Sequence, residues 1–187
     1  VALGARHLSF GDPDFFNGPK HGMDIVRTLH RTHPGLSFDV TIKVEHLLAN
    51  PDYVHELGGL GCAFIIAAVE SLSDVVLERL AKGHSRADID AVLALSRAAQ
   101  VPLRPSLIPF TPWATVDDYL ELVDWLIQEG LADHLEPIQL AIRLLIPPGS
   151  AILWDSDRSQ KGDGARWLRG LDDSAFGYVW EHPDPRM

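Results

Sequence analysis

The sequence predicts an α/β fold, a partial (β/α) barrel of the TIM type with parallel strands, about five of them present. Three observations predict it. Five short apolar runs, at 6–10, 38–44, 63–69, 103–109 and 138–146, alternate with stretches of helical period, the pattern of repeated βα units. The run at 63–69 is almost wholly apolar, as expected of a parallel strand covered on both faces. Several runs also end in a loop bearing a carboxylate or hydroxyl, and in this architecture ligands gather at the loops after the strands' C-terminal ends.

The elements follow in order. After the first run, Gly11-Asp12-Pro13 and Asn17-Gly18-Pro19 form a long turn-rich loop. A helix is predicted over 20–33, with Met23, Val26 and Leu29 on one face and Pro34-Gly35 as its stop. The second strand leads to a short helix over 52–57 and a Gly58-Gly59 break. After the third strand, Ser73 is placed to cap a helix over 74–82 that Gly83 stops. Ser85 with Asp88, and Thr115 with Asp118, have capping-box spacing. The helix after Thr115 carries Tyr119, Leu122, Val123 and Leu126 as its stripe and ends at Gly130. Residues 1–153 are therefore read as the barrel core. Residues 154–187, with Trp154, Trp167 and Trp180 among Asp, Arg and Gly, are read as an irregular extension packed on it, with one short helix.

Composition narrows the function. The chain has 187 residues, 46% hydrophobic and 22% charged, enough for one domain with a real core. A net charge of −10 without any basic stripe argues against nucleic acid as partner. No apolar stretch approaches the ~20 residues of a membrane helix, and no signal peptide opens the chain. The one cysteine, Cys62, excludes an intrachain disulfide and suits a reducing cytoplasm. The chain opens at Val1 and closes at Met187 after a His182-Pro183-Asp184-Pro185 turn. Because a whole barrel takes ~250 residues, we expect a piece of a longer protein.

Four places carry candidate chemistry. Gly11 lets a backbone approach a ligand and Asp12 can accept from an ammonium or hydroxyl, although Gly-Asp-Pro also makes an ordinary turn. Glu70 directly follows a buried run, where an unpaired carboxylate is costly. With Ser71 it could accept from ligand hydroxyls, or the local serines and Asp74 could simply cap the next helix. The stiff Pro109–Thr115 stretch places Thr111 either at a pocket wall or in a capping loop. Lys43, Arg104 and Arg143 lie inside strands, facing a barrel mouth or paired structurally. The nine histidines show no metal-binding spacing, and P-loop, nucleophile-elbow and GxGxxG motifs are absent.

Taken in order, these loops resemble the radical SAM superfamily, enzymes that cleave S-adenosylmethionine with an iron–sulfur cluster. Leu8-Ser9-Phe10-Gly11-Asp12-Pro13 resembles the family's second strand and its Gly-Gly-Glu-type motif, which accepts the methionine amino group. One glycine is missing here, and Asp12 stands for the usual Glu. Gly61-Cys62-Ala63, Glu70-Ser71-Leu72-Ser73-Asp74, Leu77 and Lys82-Gly83-His84-Ser85 resemble the fourth strand, whose Glu and Ser lie by the cofactor. Leu72 fills a place more often held by glycine. Pro109-Phe110-Thr111-Pro112-Trp113-Ala114-Thr115 resembles the fifth-strand turn, and Ile146-Pro147-Pro148-Gly149-Ser150 the turn after the sixth. Lys43 matches a cation often seen on the third strand. The resemblance spans 6–153.

That resemblance implies Gly11, Asp12, Lys43, Glu70, Ser71 and Thr111 as the residues that bind S-adenosylmethionine. It implies no catalytic residue and no metal ligand within this chain. The intact enzyme would carry a 4Fe-4S cluster, cleave S-adenosylmethionine reductively to a 5′-deoxyadenosyl radical, and act on an undetermined small-molecule or peptide substrate. The family holds its cluster with a CxxxCxxC loop that this sequence lacks, so no cluster is expected in this chain and the chain alone is expected to be inactive. Two other readings stand beside it: a divalent-metal hydrolase or aldolase using Asp12, Glu70 and a histidine, and a non-catalytic binding module. An absent strand would leave an open sheet edge, for which self-association is expected.

Overall fold

The structure is a computed structural model that describes residues 4–153 and 166–187. Its centre is a four-stranded parallel sheet in sequential order, built from β1 (His7–Ser9), β2 (Ser37–Ile42), β3 (Cys62–Glu70) and β4 (Leu103–Leu107). Helices make every crossover. α1 (Pro19–Thr32) joins β1 to β2, α2 (Val44–Ala49) and α3 (Pro51–Gly59) lead to β3, and α4 (Asp74–Arg79) and α5 (Arg86–Ala98) lead to β4. α6 (Val116–Gln128) follows β4. This is the α/β architecture of a partial TIM-like barrel.

Alternation along the strands separates two faces. Phe38, Val40 and Ile42 of β2 and Ile65, Ala67 and Val69 of β3 are fully buried. They form one core with Met23 and Val26 of α1, Leu57 of α3, Ile89 and Val92 of α5 and Leu122 of α6. The other face behaves differently. Phe64, Ile66 and Ala68 of β3 are only half-buried, whereas the apolar run had suggested burial on both sides. They line the concave inner face, which four strands leave open.

Helix ends follow their sequence signals closely. The Ser85 and Thr115 side chains accept from the backbone N–H of Asp88 and Asp118, and both aspartates return the bond, completing two capping boxes. Ser73 departs from expectation: it stands at the N-cap of α4 but makes no side-chain cap. Its own N–H donates instead to Ser71 Oγ at 3.1 Å. α4 stops at Arg79, and Ala81 takes a left-handed conformation (φ 51°) before Gly83.

Two other expectations are corrected. The run at 138–146 is not a strand: Pro137–Ala141 is a 3-10 helix, and only Phe110 and Arg143 pair, in one parallel bridge. Pro109, Pro112, Pro147 and Pro148 remove N–H donors on both segments, so no ladder can propagate. The tail is more regular than predicted. β5 (Leu168–Asp172) and β6 (Gly177–Trp180) form an antiparallel hairpin, while Trp154 lies outside the described residues. The hairpin is sewn to the core by Tyr178 N–H donating to Ile146 O (2.8 Å) and Trp180 Nε1–H donating to Leu144 O (2.7 Å). Trp180, Leu144 and Ile146 form a second apolar cluster, against which Trp113 and Trp167 pack. Among the described residues, no helix is long and apolar enough to cross a membrane.

Candidate functional site

The C-terminal rim of the sheet gathers charge. Glu70, the last residue of β3, sits at a break in register with β4 and has φ 65°. That conformation is sterically costly for a side chain with a Cβ, and such strain concentrates at functional sites. The backbone holds it there from both sides. Glu70 O accepts from Ile108 N–H at 2.8 Å, and Ser71 N–H donates to Val69 O at 2.8 Å. Lys82 Nζ donates to Glu70 Oε1 at 3.1 Å, and both side chains are largely covered. The sequence analysis named Glu70 as a site residue but gave Lys82 only as part of the Lys82-Gly83-His84-Ser85 run, not as its ion partner on the loop after α4.

Lys43 follows β2 on the same rim. Its ammonium lies 3.8 Å from both Asp14 and Glu45. A pocket of about 170 Å³ is bordered by Lys43, Glu45, Ala68, Lys82 and His84, so the cations of β2 and of the loop after α4 face one space. Gly83, at φ 72°, lies so close to Glu45 that a Cβ there would meet Oε2 at 2.7 Å. His84 Nε2 lies 3.3 Å from Val69 O.

Asp14 is the residue that reasoning from sequence overlooked. It is buried, and Oδ1 accepts from Lys43 N–H at 3.4 Å. His46 Nδ1 stands 2.8 Å from Asp14 Oδ2. The two atoms approach closely without hydrogen-bond alignment, so both lack a hydrogen-bond partner. Gly11 and Asp12 lie at the exposed tip of the same loop. Asp12 Oδ1 accepts from Asp14 N–H at 2.9 Å, which leaves its other oxygen outward. Ser71 is buried, and its oxygen accepts from Ser73 N–H. Thr111 is wholly enclosed, and its hydroxyl oxygen accepts from Trp113 and Ala114 N–H at 3.3 and 3.1 Å. Thr111 therefore shapes its own loop.

The inner face carries a second polar set. His7 Nε2 lies 2.8 Å from Asp39 Oδ2, which also accepts from Ser9 Oγ at 2.6 Å. His7 Nδ1 is 2.8 Å from Ser37 Oγ. The Arg104 guanidinium lies 3.8 Å over the Phe64 ring. Asp39, which the sequence analysis did not name, was legible in principle: it alternates with Thr41 along β2 and with Lys43 just beyond it, the period that puts side chains on one face. Arg143, by contrast, pairs structurally, stacking on Trp180 and donating to its carbonyl oxygen at 3.1 Å.

Cys62 begins β3, buried, with Sγ donating to Phe64 O at 3.4 Å. Burial pushes its thiol up to about 12, which disfavours the thiolate at neutral pH. Among the described residues, no three His, Cys, Asp or Glu side chains come together as a metal site would require.

No family model matches the sequence, and no curated protein matches it. Solved structures do. The cobalamin-dependent S-adenosylmethionine radical enzyme OxsB, with aqua-cobalamin and S-adenosylmethionine bound, superposes with a TM-score of 0.75 at 17% identity over 96% of this chain. The radical S-adenosylmethionine methyltransferase TsrM from Kitasatospora setae, with cobalamin and a [4Fe-4S] cluster bound, gives 0.70 at 13% identity over 100%. Elp3 from Methanocaldococcus infernus gives 0.59 at 12% identity over 81%. The chain spans 32% of OxsB and 40% of TsrM and of Elp3. The chain shares with these structures the fold of a partial TIM-like barrel, here four parallel strands and their helices.

Proposed function

We propose that this chain is the S-adenosylmethionine-binding part of a radical SAM enzyme, with the C-terminal rim of its sheet as the binding surface. One observation supports the reading above others: Glu70 is held in a left-handed conformation at the end of β3, on Lys82, in a fold shared with enzymes solved with S-adenosylmethionine or its analogue. S-adenosylmethionine offers ribose hydroxyls, an ammonium and a carboxylate. Glu70 accepts from the hydroxyls, oriented by Lys82. Ser71, whose oxygen already accepts from Ser73, keeps its O–H to donate. The outward oxygen of Asp12 suits the ammonium, Gly11 gives it backbone room, and Lys43 suits the carboxylate. Thr111 contributes by fixing the loop after β4.

The cluster does not fit this chain. Its ligands are cysteine thiolates, and the single thiol here is buried, protonated and bonded to a carbonyl. A cluster in a longer protein would need thiolates other than Cys62, and the chain's own part would be to bind, orient and exclude water.

The reading is tested in two steps. Calorimetric titration of the chain with S-adenosylmethionine should give saturable binding that Glu70→Gln weakens at least tenfold. The protein expressed with its upstream coding sequence, reconstituted anaerobically with iron and sulfide, should develop cluster absorbance and release 5′-deoxyadenosine. Absence of a cysteine-bearing segment in the gene, together with no binding by the chain, would overturn it.

A further inference from the structure

The inner face of the sheet holds a pocket of about 410 Å³, within the size range of small-molecule sites. Its groups lie in register. Thr41 of β2 stands opposite Ile66 of β3, which stands opposite Arg104 of β4, while Ala68 stands opposite Ser106. The Arg104 guanidinium lies 3.8 Å over the Phe64 ring and, among the described residues, makes neither an ion pair nor a side-chain hydrogen bond. The hydroxyls of Thr41 and Ser106 are likewise without a partner among the described residues, and both line the pocket. Asp39 borders the same pocket but, among the described residues, makes no ion pair with Arg104; its Oδ2 is held by His7 and Ser9.

A guanidinium stacked on an aromatic ring is already oriented, and its fork of N–H donors matches a planar carboxylate with two parallel bonds. The walls beside it are Phe64, Phe10 and Ile66, flat and apolar. Glu136 borders the same pocket and is exposed, which disfavours a second negative charge on a ligand. We propose that this pocket is a binding site for a small monocarboxylate with a flat apolar body, its carboxylate on Arg104 and its body against Phe64 and Ile66. Thr41 and Ser106 offer it hydroxyls.

The pocket adjoins the rim through Phe10, the neighbour of Gly11, but its arginine lies deeper along the sheet. Ile66, opposite Arg104, precedes Glu70 by four residues, about 13 Å along a strand. The proposal therefore stands whether or not the rim binds S-adenosylmethionine.

Benzoate serves as the probe, benzamide as its uncharged counterpart and phenyl phosphate as the alternative anion. With the 15N-labelled chain, benzoate should shift the amide resonances of Phe64, Ile66, Arg104 and Ser106 saturably, with benzamide at least tenfold weaker. Arg104→Met, which keeps the apolar contact with Phe64, should lose that preference while its circular dichroism and melting temperature stay unchanged. Should the methionine variant not fold, Arg104→Lys, which keeps the charge but not the fork, is expected to bind benzoate at least fivefold more weakly. Equal binding of benzoate and benzamide, unaltered affinity in either Arg104 variant, or a tenfold preference for phenyl phosphate would each overturn the proposal.

Discussion

Single side chains on this molecule are set by the strand face they occupy. Cys62 faces the core, donates to a carbonyl and is pushed up from 9.0 to about 12 by burial. Its thiolate fraction at neutral pH therefore falls roughly a thousandfold below that of a free thiol. Iodoacetamide should alkylate Cys62 slowly at pH 8 in the folded chain and quickly in urea, measured by mass spectrometry. The same shift has a sign for stability. The folded thiol keeps its proton where the unfolded one has lost it, so its contribution is complete below about pH 9 and is lost as pH rises toward 12. Denaturant midpoints should fall across that window, and fall less steeply in Cys62→Ala. The burial of Cys62 was legible from its place after Gly61 at a strand entrance. Asp14 was not, because nothing in Pro13-Asp14-Phe15 distinguishes a buried carboxylate from a turn residue; only the return of β2 beside the loop encloses it.

Among the elements, helices were easier to read than strands. Both capping boxes were visible as Ser85 with Asp88 and Thr115 with Asp118, since caps are local chemistry. Thr115→Ala should cost about 1 kcal/mol in urea denaturation, with Asp118→Ala non-additive because the two share the same bonds. α3 carries a steric constraint that the sequence showed only as a glycine break. A Cβ on Gly58 would stand 2.6 Å from Ala99 O. Gly58→Ala should destabilise by roughly 1–3 kcal/mol, while Gly59→Ala, where nothing lies within 4 Å, should be tolerated. The helix Val44–Ala49 was missed because Val44 reads as a continuation of β2. The hairpin Leu168–Trp180 was missed because its register is interrupted between Leu168 and Leu171, which hides the period of two.

For the whole molecule, β1 is an edge strand paired only with β2 among the described residues. Exposed edges invite pairing with another chain. The isolated chain is expected to self-associate with rising concentration, visible by light scattering; a mass fixed at 20.6 kDa across a hundredfold range would count against this. Four of the five strands and their order were legible because parallel βα units leave a repeating signature. The fifth failed because prolines interrupt hydrogen bonding without disturbing hydropathy.

Asp14 gives the rim one more property. By gripping the backbone of Lys43 while presenting its own N–H to Asp12, it couples two loops that belong to different strands. On the proposed reading of the rim, a ligand that shifts one of these loops shifts the other, and equilibrium requires that influence to run equally in both directions. Cutting the tether with Asp14→Ala should then uncouple S-adenosylmethionine's contacts on the two loops and weaken its binding, as read by calorimetry.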